Sequence, residues 1–389
     1  MEFSDFEGYL RTDGSVGIRN LIGVISTVVC ANEVARRSAQ GIEGVRTFYH
    51  SQGCCLTRPD METVQTTLSS LGRHPNLAGV VIIGLGCESV DPEALANEIS
   101  ASGRPVEVVV TQDQGGATRA ADLAREKILT MKRELLPGKR ESAEVSSLLL
   151  GIKCGGSDTT SGIVANPVLG KVVDQLLDMG VSVAFGETTE LIGAENWIVS
   201  RGRTDEIRRE IEETILAMER RAKSAGADMR GGQPTGGNIR GGLSTIEEKS
   251  LGAAIKTGTR PVDGVVDYGD RITSKGLFMV DTPGREPEFL TGIAAAGAQL
   301  MVFTTGKGAP HGFPFMPVIK LTGNPQTARN LPVHIDLDLS GMITGDLSMD
   351  VATDLLMEEI NEVVGGKATK AERLGYDESM NIYIRGPVI

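Results

Sequence analysis

Three cysteines stand beside glycine in short stretches that follow apolar runs, and their thiols could bind a metal. Cys54 lies in "SQGCC", Cys87 in "GLGCES" and Cys154 in "KCGGSD". Each could instead be a small buried side chain at a tight turn, because free cysteine is often buried. If they are ligands, the three thiolates suit an iron–sulfur cluster whose fourth position is open to the substrate. A single iron held by His50, cysteine and carboxylates fits the residue types nearly as well. A structural zinc site is disfavoured, because no closely spaced CxxC pair is present.

Carboxylates follow another apolar run, in "FGETTELIGAE", where Glu187 and Glu190 stand three residues apart. This spacing would place both on one face of a helix. Together with the neighbouring threonines they could simply cap a helix N-terminus. They could also bind a metal or act as a general base. The residue types leave both interpretations open.

Glycine turns with cations form a third group of candidates. Lys307 and His311 lie in "TTGKGAPHG", whose backbone N–H groups and lysine could hold a carboxylate or a phosphate. Arg19 in "GYLRTDGSVGIRN" and Lys275 in "KGLFMVDTPG" are similar cations beside glycine turns. A metal with cations and carboxylates at strand ends suits proton removal next to a substrate carboxylate, with the metal stabilising the enediolate that results.

The segments that must position these residues alternate between apolar strands and helices. The strands predicted in the first part of the chain are 21–29, 45–50, 78–83 and 106–111. Strands that are apolar throughout predict a parallel sheet covered on both faces, and such sheets bind ligands at the carboxyl ends of their strands. The residues that follow these strands should therefore meet on one rim. Asp13 and Gly14 predict a β-hairpin ahead of the first strand.

A second α/β region follows a predicted linker at 136–144, which holds proline and glycine flanked by charge. Its predicted strands are 147–152, 181–185, 276–280, 300–304, 318–321 and 335–339. The predicted fold is α/β, with two Rossmann-like parallel-sheet domains at 1–138 and 146–389 and a site between them at the carboxyl ends of the strands. His74, in "GRHPN", is predicted to be a surface turn residue.

Composition excludes several classes of protein. The net charge of −12 and a pI of about 5.0 leave no electrostatic footprint for nucleic acid, and an anionic substrate would need a local concentration of positive charge. No run of about 18 apolar residues is present, so a membrane span is not expected. Five cysteines, sparse and odd in number, without a signal peptide favour a reducing cytoplasm.

Stretches that run in order along almost the whole chain are similar to the altronate/galactarate dehydratase family. They are "GYLRTDGSVGIRN", "HSQGC", "RHPNLAGVVIIGLGCE", "KCGGSDTTSGIVANPVLG", "FGETTELIGAE", "GGLSTIEEKSLG", "KGLFMVDTPG", "TTGKG" and "PVIKLTGNP". The resemblance implies a lyase that eliminates water from a sugar acid and gives a 2-keto-3-deoxy acid. It also implies iron, as Fe²⁺ or an iron–sulfur cluster, or else Mn²⁺.

Fused members of this family carry a small extra domain ahead of the first stretch, whereas here Gly8 nearly starts the chain. The resemblance therefore implies a separate large subunit, a small partner of roughly 100 residues, and an oligomer. A sister branch with this split arrangement is (2R)-sulfolactate sulfo-lyase, which releases sulfite and pyruvate. Both reactions begin by removing the proton at C2, so the shared motifs leave the leaving group open.

Individual residues can be given roles from their types, their positions and the resemblance. The first-choice metal ligands are Cys54, Cys87 and Cys154, followed by His50, Glu88 and Glu187. The candidates for the base are Glu190, Lys307 and His311. Substrate binding is assigned to Arg19, Ser157, Asp158, Asn166 and Lys275. Two other classes stay open: a binding protein that senses a sugar acid without a metal, and a thiol hydrolase that uses Cys54.

Overall fold

The computed structural model describes residues 5–377 and 380–388, and within them the strands form three sheets. The strands are β1 Asp5–Leu10, β2 Val16–Gly17, β3 Leu21–Ser26, β4 Val45–Phe48, β5 Leu77–Gly84, β6 Val106–Val110, β7 Glu141–Glu144, β8 Leu149–Gly155, β9 Ser182–Phe185, β10 Gly264–Val266, β11 Leu277–Val280, β12 Leu300–Thr305, β13 Val318–Thr322 and β14 Leu337–Asp338. Two of the sheets are parallel, which confirms the predicted α/β class with parallel sheets.

The α-helices of the described residues lie between these strands. They are α1 Asn32–Ala39, α2 Arg58–Gly72, α3 Pro92–Ser100, α4 Ala117–Leu135, α5 Asn166–Asp178, α6 Glu195–Val199, α7 Asp205–Ser224, α8 Met229–Gly232, α9 Gly236–Arg240, α10 Ile246–Ala254, α11 Glu286–Ala295, α12 Pro325–Asn330, α13 Gly341–Thr344, α14 Met349–Val364 and α15 Lys370–Leu374. None of the helices in this part of the chain is both long and apolar enough to cross a membrane.

Strand order places a topological switch in each parallel sheet. The first sheet has the order β4-β3-β5-β6, so the chain leaves β3 to one side and returns to the other as β5. The second has the order β10-β11-β9-β8-β12-β13-β14, with the corresponding switch between β8 and β12. Open parallel sheets bind ligands at the carboxyl ends of the strands next to such a switch. All eight residues of β5 are buried, as expected for a strand covered on both faces.

An antiparallel sheet at the start of the chain joins the two regions. β1 and β2 form the predicted hairpin, and Gly14 in its turn has φ of 80°. The predicted linker 136–144 contains β7, which pairs with β1. The hairpin side chains Phe6, Val16 and Ile18 belong to the apolar core around the seven-stranded sheet. The domain boundaries predicted at 138 and 146 stay a prediction.

The two parallel sheets share a second apolar core. It combines Ile25 and Phe48 of the four-stranded sheet with Phe303 and Val318 of the seven-stranded sheet. His74 lies in this contact region, where it is fully buried and its Nε2 is 2.8 Å from the carbonyl oxygen of Ala298. The prediction of a surface turn was wrong, because the second region covers the turn.

Helix α5 positions one candidate residue directly. It begins at Asn166, has proline in its first turn, where a missing N–H costs nothing, and follows a π-helical turn at Ser161–Ala165. Its buried face is apolar at helical spacing, with Val168, Leu169, Val172, Val173 and Leu176 in the core. This packing fixes the first turn of α5 against the end of β8.

Candidate active site

The loops after β3, β4 and β5 form one rim that backbone hydrogen bonds hold together. The N–H of Val29 donates to the carbonyl of Gln52 at 2.9 Å, and the N–H of Ser89 donates to that of Gly53 at 3.1 Å. Across the switch between β3 and β5, the Thr27 hydroxyl donates to Glu88 at 2.7 Å. The three loops are therefore fixed relative to one another.

Four cysteines gather on this rim. Cys55, Cys30 and Cys87 all contribute to the pKa of the Cys54 thiol. Desolvation, followed by the contact with Cys55, raises the pKa of Cys54 above its usual value. Cys54 is half-buried and the other three are exposed. Cys30 and Cys55 were not predicted as site residues, because neither was recognised in the pattern of cysteine beside glycine after a strand.

The other metal-ligand candidates of this rim are occupied by the chain itself. Nε2 of His50 lies 2.7 Å from the carbonyl of Ser26, and its Nδ1 accepts the N–H of Gln52 at 3.2 Å. Burial lowers the pKa of His50 to about 4, so the ring is neutral near pH 7. Glu88 accepts the Thr27 hydroxyl and the N–H of Leu85, the latter at 2.8 Å. Both side chains thus shape the loops.

Cys154 lies on a second rim, at the end of β8 beside the switch in the seven-stranded sheet. It is 3% exposed, and its Sγ lies 3.2 Å from the Ser157 hydroxyl and 3.4 Å from Nδ2 of Asn166. Asn166 in turn accepts the Thr304 hydroxyl at 2.6 Å. Cys154 therefore contacts both of the predicted residues Ser157 and Asn166, and it ends a strand of the seven-stranded sheet.

Glu187 follows β9 and is enclosed by two lysines. Its carboxylate lies 2.9 Å from Nζ of Lys153 and 3.0 Å from Nζ of Lys256, and it also accepts the N–H of Cys154 at 3.0 Å. Burial opposes ionisation, but the two ammoniums outweigh it and lower the pKa of Glu187. Glu187 has a left-handed backbone, with φ of 60°, which turns its carboxylate back under the rim. Its oxygens are thus already paired with lysine.

The three candidates for the base have different surroundings. Glu190 forms an ion pair with Lys249 at 2.9 Å. Lys307 is exposed beside the turn at Gly156. His311 is half-buried, and its Nδ1 is shielded from solvent without a hydrogen-bond partner among the residues that the structure describes. Desolvation lowers the pKa of His311, so its ring is neutral near pH 7.

Lys320 was missed by the sequence argument. In β13 it stands in register with Phe303 of β12, which pairs in turn with Lys153 of β8, so the three side chains share one face of the sheet. Lys320 is 0% exposed, and its Nζ has no hydrogen-bond partner among the described residues. Burial lowers its pKa to about 8, and its charge acts on His311. A lysine inside an apolar strand, as in "VIKLTG" and "GIKCGG", is the signal that could have found Lys320 and Lys153.

A cavity of about 150 Å³ opens beside α5. The predicted residues Ser157, Asp158 and Asn166 line it, together with Lys249. Asp158 is 3% exposed and its oxygens accept the Thr160 hydroxyl and the N–H of Ser161, which holds it in place. A larger cavity of about 550 Å³ lies between α5 and α14, where acidic residues line it and no predicted site residue is present.

Two predicted substrate ligands lie elsewhere. All the N–H groups of Arg19 donate within the chain, to Glu372 and to the carbonyls of Ile18, Val363 and Lys367. Lys275 precedes β11, at the amino end of the seven-stranded sheet, and donates to the carbonyl of Ser146. Both cations form hydrogen bonds that stabilise the fold. Their roles in substrate binding stay predictions.

The C-terminal segment connects the two rims. Asn381 accepts the Ser51 hydroxyl at 2.8 Å in the loop of Cys54 and donates to Glu288 at 3.1 Å in the first turn of α11. Arg385 pairs with Asp281, which follows β11, at 2.8 Å. We call the edge formed by the loops after β3, β4 and β5 the cysteine rim, and the edge beside Lys153, Glu187 and Lys320 the lysine rim. Both rims adjoin this C-terminal segment.

The predicted ligand set does not fit a single metal ion as it stands. Within the described residues, no group of three or more histidines, cysteines, aspartates or glutamates is arranged to hold one ion. Cys154 lies apart from the thiol cluster, and His50, Glu88 and Glu187 use their lone pairs within the chain. The dependence on iron or Mn²⁺ stays a prediction.

Comparison with known proteins identifies the family. Residues 8–135 match the second domain of the D-galactarate dehydratase/altronate hydrolase family, and residues 145–387 match the C-terminal domain of D-galactarate/altronate dehydratase. The (2R)-sulfolactate sulfo-lyase subunit beta of Chromohalobacter salexigens is 38% identical over 96% of this chain and 96% of that protein. Altronate dehydratase of Escherichia coli is 32% identical over 95% of this chain and 76% of that protein. Galactarate dehydratase (L-threo-forming) of the same organism is 31% identical over 100% of this chain and 78% of that protein. The chain therefore belongs to the D-galactarate/altronate dehydratase family.

Proposed function

We propose that the protein is a lyase that removes the proton at C2 of a 2-hydroxy carboxylate and expels the substituent at C3. The first proposed substrate is a sugar acid of the altronate or galactarate type, which would lose water and give a 2-keto-3-deoxy acid. The names of the relatives, dehydratases and a sulfo-lyase, support a lyase. The substrate itself is our proposal.

The observation that carries the proposal is the excess of buried lysines at the lysine rim. Lys153 and Lys256 enclose the single carboxylate of Glu187, and Lys320 is buried without a partner. In a protein of net charge −12, this is a local concentration of positive charge of the kind an anionic substrate needs. The same charges would stabilise the enediolate that forms when C2 loses its proton.

The residues around the cavity beside α5 would bind the substrate. Ser157 and Asn166 offer hydrogen-bonding groups next to Cys154, and Lys249 offers a cation that Glu190 holds in place. Asp158 would keep the turn at Ser157 in shape, because its own carboxylate is occupied. The residues that line this cavity would therefore bind the hydroxyl groups and a carboxylate of the substrate.

His311 is our first choice for the base. Its ring is neutral near pH 7 and its Nδ1 has no partner within residues 5–377 and 380–388, so a nitrogen is available to accept a proton. Glu190 is less suited, because its carboxylate is already paired with Lys249 at 2.9 Å. Lys307 would have to lose a proton before it could act. An iron cofactor, when bound, would supply Lewis-acid chemistry toward the substrate carboxylate and C2 hydroxyl.

A second candidate is the elimination of sulfite from (2R)-sulfolactate. It is favoured by the 38% identity to a sulfo-lyase subunit, because the alignment covers 96% of both chains. The alignment with altronate dehydratase of Escherichia coli covers only 76% of that protein. Because that relative is named subunit beta, we also propose that this chain works with a separate small subunit of roughly 100 residues.

The test is a product assay on purified protein, with and without the candidate small subunit. The panel contains altronate, galactarate, other aldonates and aldarates, and (2R)-sulfolactate. Formation of a 2-keto-3-deoxy acid supports the dehydratase, and formation of pyruvate with sulfite supports the second candidate. Tight binding of a sugar acid without any product, in protein whose metal content has been restored, would overturn the lyase and favour a sensor.

A further inference from the structure

We propose that His334 is the general acid of the lyase, and that it protonates the hydroxyl group that leaves from C3. This rests on the proposed function and deepens it, because it assigns the second proton transfer of the elimination to a named side chain. His311 has been assigned the first transfer, the removal of the proton at C2. Hydroxide is a poor leaving group, so its oxygen has to gain a proton as the bond to C3 breaks.

Two histidine nitrogens in this part of the fold are shielded from solvent and have no partner. Nδ1 of His334, like Nδ1 of His311, forms no hydrogen bond with any of the residues described. A buried polar atom without a partner destabilises a folded protein, so such atoms are uncommon. Both rings are half-buried, so part of each reaches the surface. Two unpartnered nitrogens in one cluster indicate groups that are kept free to exchange protons.

Both histidine rings contact the side chain of Tyr376. The ring centroids of His311 and His334 lie 6.0 Å and 6.3 Å from that of Tyr376, at interplanar angles of 80° and 90°. The N–H of Gly312, next to His311, donates to the carbonyl of Tyr376 at 2.7 Å. The proton at C2 and the group at C3 are on adjacent carbons, so the base and the acid must lie in one small cluster. A pair of histidines that share one tyrosine meets this requirement.

The loop after β12 connects this cluster to the cavity beside α5. Gly306, at the start of the loop, lies against Asp158 of the cavity, since a Cβ at Gly306 would come within 2.3 Å of Cγ of Asp158. A Cβ at Gly308 would lie 2.1 Å from Cδ1 of Leu331. The carbonyl of Leu331 accepts the N–H of His334 at 2.9 Å. A substrate in the cavity would therefore lie next to the loop that the segment of His334 adjoins.

Strand β13 and helix α15 hold the segment of His334 in place. The N–H of Lys320 donates to the carboxylate of Asp336 at 2.8 Å, and the N–H of Asp336 donates to the carbonyl of Lys320 at 2.8 Å. Lys370, the first residue of α15, donates its N–H to the other oxygen of Asp336 at 2.7 Å. A general acid needs a fixed position of this kind, because proton transfer requires the donor within hydrogen-bond distance of the leaving group.

The lysines of the lysine rim are less suited to donate this proton. Lys320 is 0% exposed, so its ammonium is not accessible to a substrate. Lys153 and Lys256 are both paired with the carboxylate of Glu187. Histidine is the residue type that most readily gives and takes protons near neutral pH. His334 therefore fits the role of the acid better than these lysines do.

The proposed step transfers one proton from His334 in its protonated form. The electron pair of the enediolate forms the double bond between C2 and C3, and the bond from C3 to oxygen breaks. The oxygen takes the proton of His334 and leaves as water, and the enol that remains becomes the 2-keto-3-deoxy acid. His334 ends neutral and His311 ends protonated, and exchange with solvent restores both. From sulfolactate the bond from C3 to sulfur breaks instead, and sulfite leaves as an anion that keeps the electron pair and needs no proton.

The test compares His334→Gln with the wild type in D₂O. The full chain, with its metal content restored and with the candidate small subunit, is mixed with the sugar acids of the panel. Nuclear magnetic resonance follows the exchange of the C2 proton and the formation of product. We expect His334→Gln to lower the release of water at least about 100-fold, while exchange at C2 stays within about threefold of the wild type or rises. His311→Gln should lower both rates.

Sulfolactate provides a second measurement on the same proteins. Since sulfite needs no proton to leave, His334→Gln should release it within about threefold of the wild-type rate. Val333→Gln is the matched control, because Val333 precedes His334 in the chain and is 58% exposed. This control should keep the release of water and of sulfite. Circular dichroism checks that every variant is folded.

The outcomes separate the role of His334 from the proposed function. A His334→Gln protein that releases water at the wild-type rate would overturn the role, and so would one that loses exchange at C2 together with elimination. A wild type that releases sulfite but releases water from no substrate would also overturn it, and would leave the second candidate function in place. A wild type that neither exchanges nor converts any substrate would overturn the lyase, and the acid with it.

Discussion

The ammonium of Lys153 lies 2.9 Å from a carboxylate oxygen of Glu187, and both side chains are 1% exposed. Lys256, also 1% exposed, approaches the other oxygen at 3.0 Å. One buried carboxylate thus compensates two buried cations. Removing one partner of such a group leaves uncompensated charge in a medium of low polarity.

We therefore expect Glu187→Gln to destabilise the protein strongly. The amide keeps the shape of the side chain but leaves both ammoniums without a counter-charge, which should cost about 3–5 kcal/mol of the free energy of unfolding. Urea denaturation followed by circular dichroism at pH 7 measures this cost. Glu190→Gln is the matched control, because its ion pair with Lys249 is more exposed, and it should cost about 1 kcal/mol. Equal costs in the two variants would contradict the proposed role of Glu187.

Lys320 is expected to act on the reaction through His311. Its charge helps to lower the pKa of His311, so Lys320→Met should raise that pKa and move the acidic limb of the kcat/KM profile to higher pH. At pH 6 we expect kcat/KM to fall by up to about fourfold, since less of the base is unprotonated as its pKa rises toward the ordinary value of a histidine. Lys171→Met, which removes an exposed lysine of α5, is the control and should leave the profile in place. A fall in kcat without any shift of the limb would contradict this role.

The pH dependence of the free energy of unfolding tests the lowered pKa of Lys320 in a second way. Its folded pKa of about 8 lies below the usual 10.5, so the unfolded chain binds the additional proton between these values. Stability should therefore rise with pH between about 8 and 10.5 relative to Lys320→Met, by up to about 3 kcal/mol. Urea denaturation of both proteins at several pH values tests the sign. A wild type that loses stability relative to the variant over this range would show that the ammonium is paired.

The buried histidines predict acid sensitivity. Burial lowers the pKa of His74 to about 3 and that of His50 to about 4, against 6.5 in an unfolded chain. Each therefore contributes stability that is fully present above pH 6.5 and is lost as the pH falls. Between pH 6.5 and 5 each histidine should lose about 1.6 kcal/mol in total, with the slope approaching about 1.4 kcal/mol per pH unit at the acidic end. His74→Gln, which cannot titrate, should halve this slope, and an unchanged slope would exclude His74 as a cause.

The parallel sheets could be predicted because their strands are covered on both faces and leave continuous apolar runs, as in β5. Cys54, Cys87 and Cys154 could likewise be placed at strand ends, and the ends of the first four strands were expected to meet on one rim. Whether the end of β8 joins them could not be predicted, because that depends on which sheet the strand belongs to. Cys154 ends a strand of the other sheet, which its similar local sequence did not indicate.

Tertiary packing also explains the surroundings that local sequence did not indicate. Cys30 follows the first predicted strand and was expected on the rim without a role of its own, and it lies in a 3₁₀ turn after β3 that the neighbouring loops fold against. His74 has turn residues on both sides, yet the carbonyl of Ala298, more than 200 positions away, covers it. Arg19 stands in a glycine-rich stretch that resembles an anion site, but its partners come from the far end of the chain. None of these contacts is local in sequence.

The turn after β12 offers a final test of the cavity beside α5. A Cβ at Gly306 would lie 2.3 Å from Cγ of Asp158, closer than real Cβ contacts allow. Asp158 cannot simply rotate away, because Thr160, Ser161 and Asn324 hold its carboxylate. Gly306→Ala should therefore displace the turn that carries Ser157 and lower kcat/KM by at least about tenfold, at a cost of about 1–3 kcal/mol in stability.

Gly232→Ala is the matched control, because a Cβ at that position meets no other atom within 4 Å and its φ is not in the left-handed region. It should keep both activity and stability within about 0.5 kcal/mol of the wild type. The comparison is made by steady-state kinetics on the best substrate of the panel and by urea denaturation. A fully active Gly306→Ala would show that the turn at Ser157 can move without consequence, and would take the substrate away from this wall of the rim.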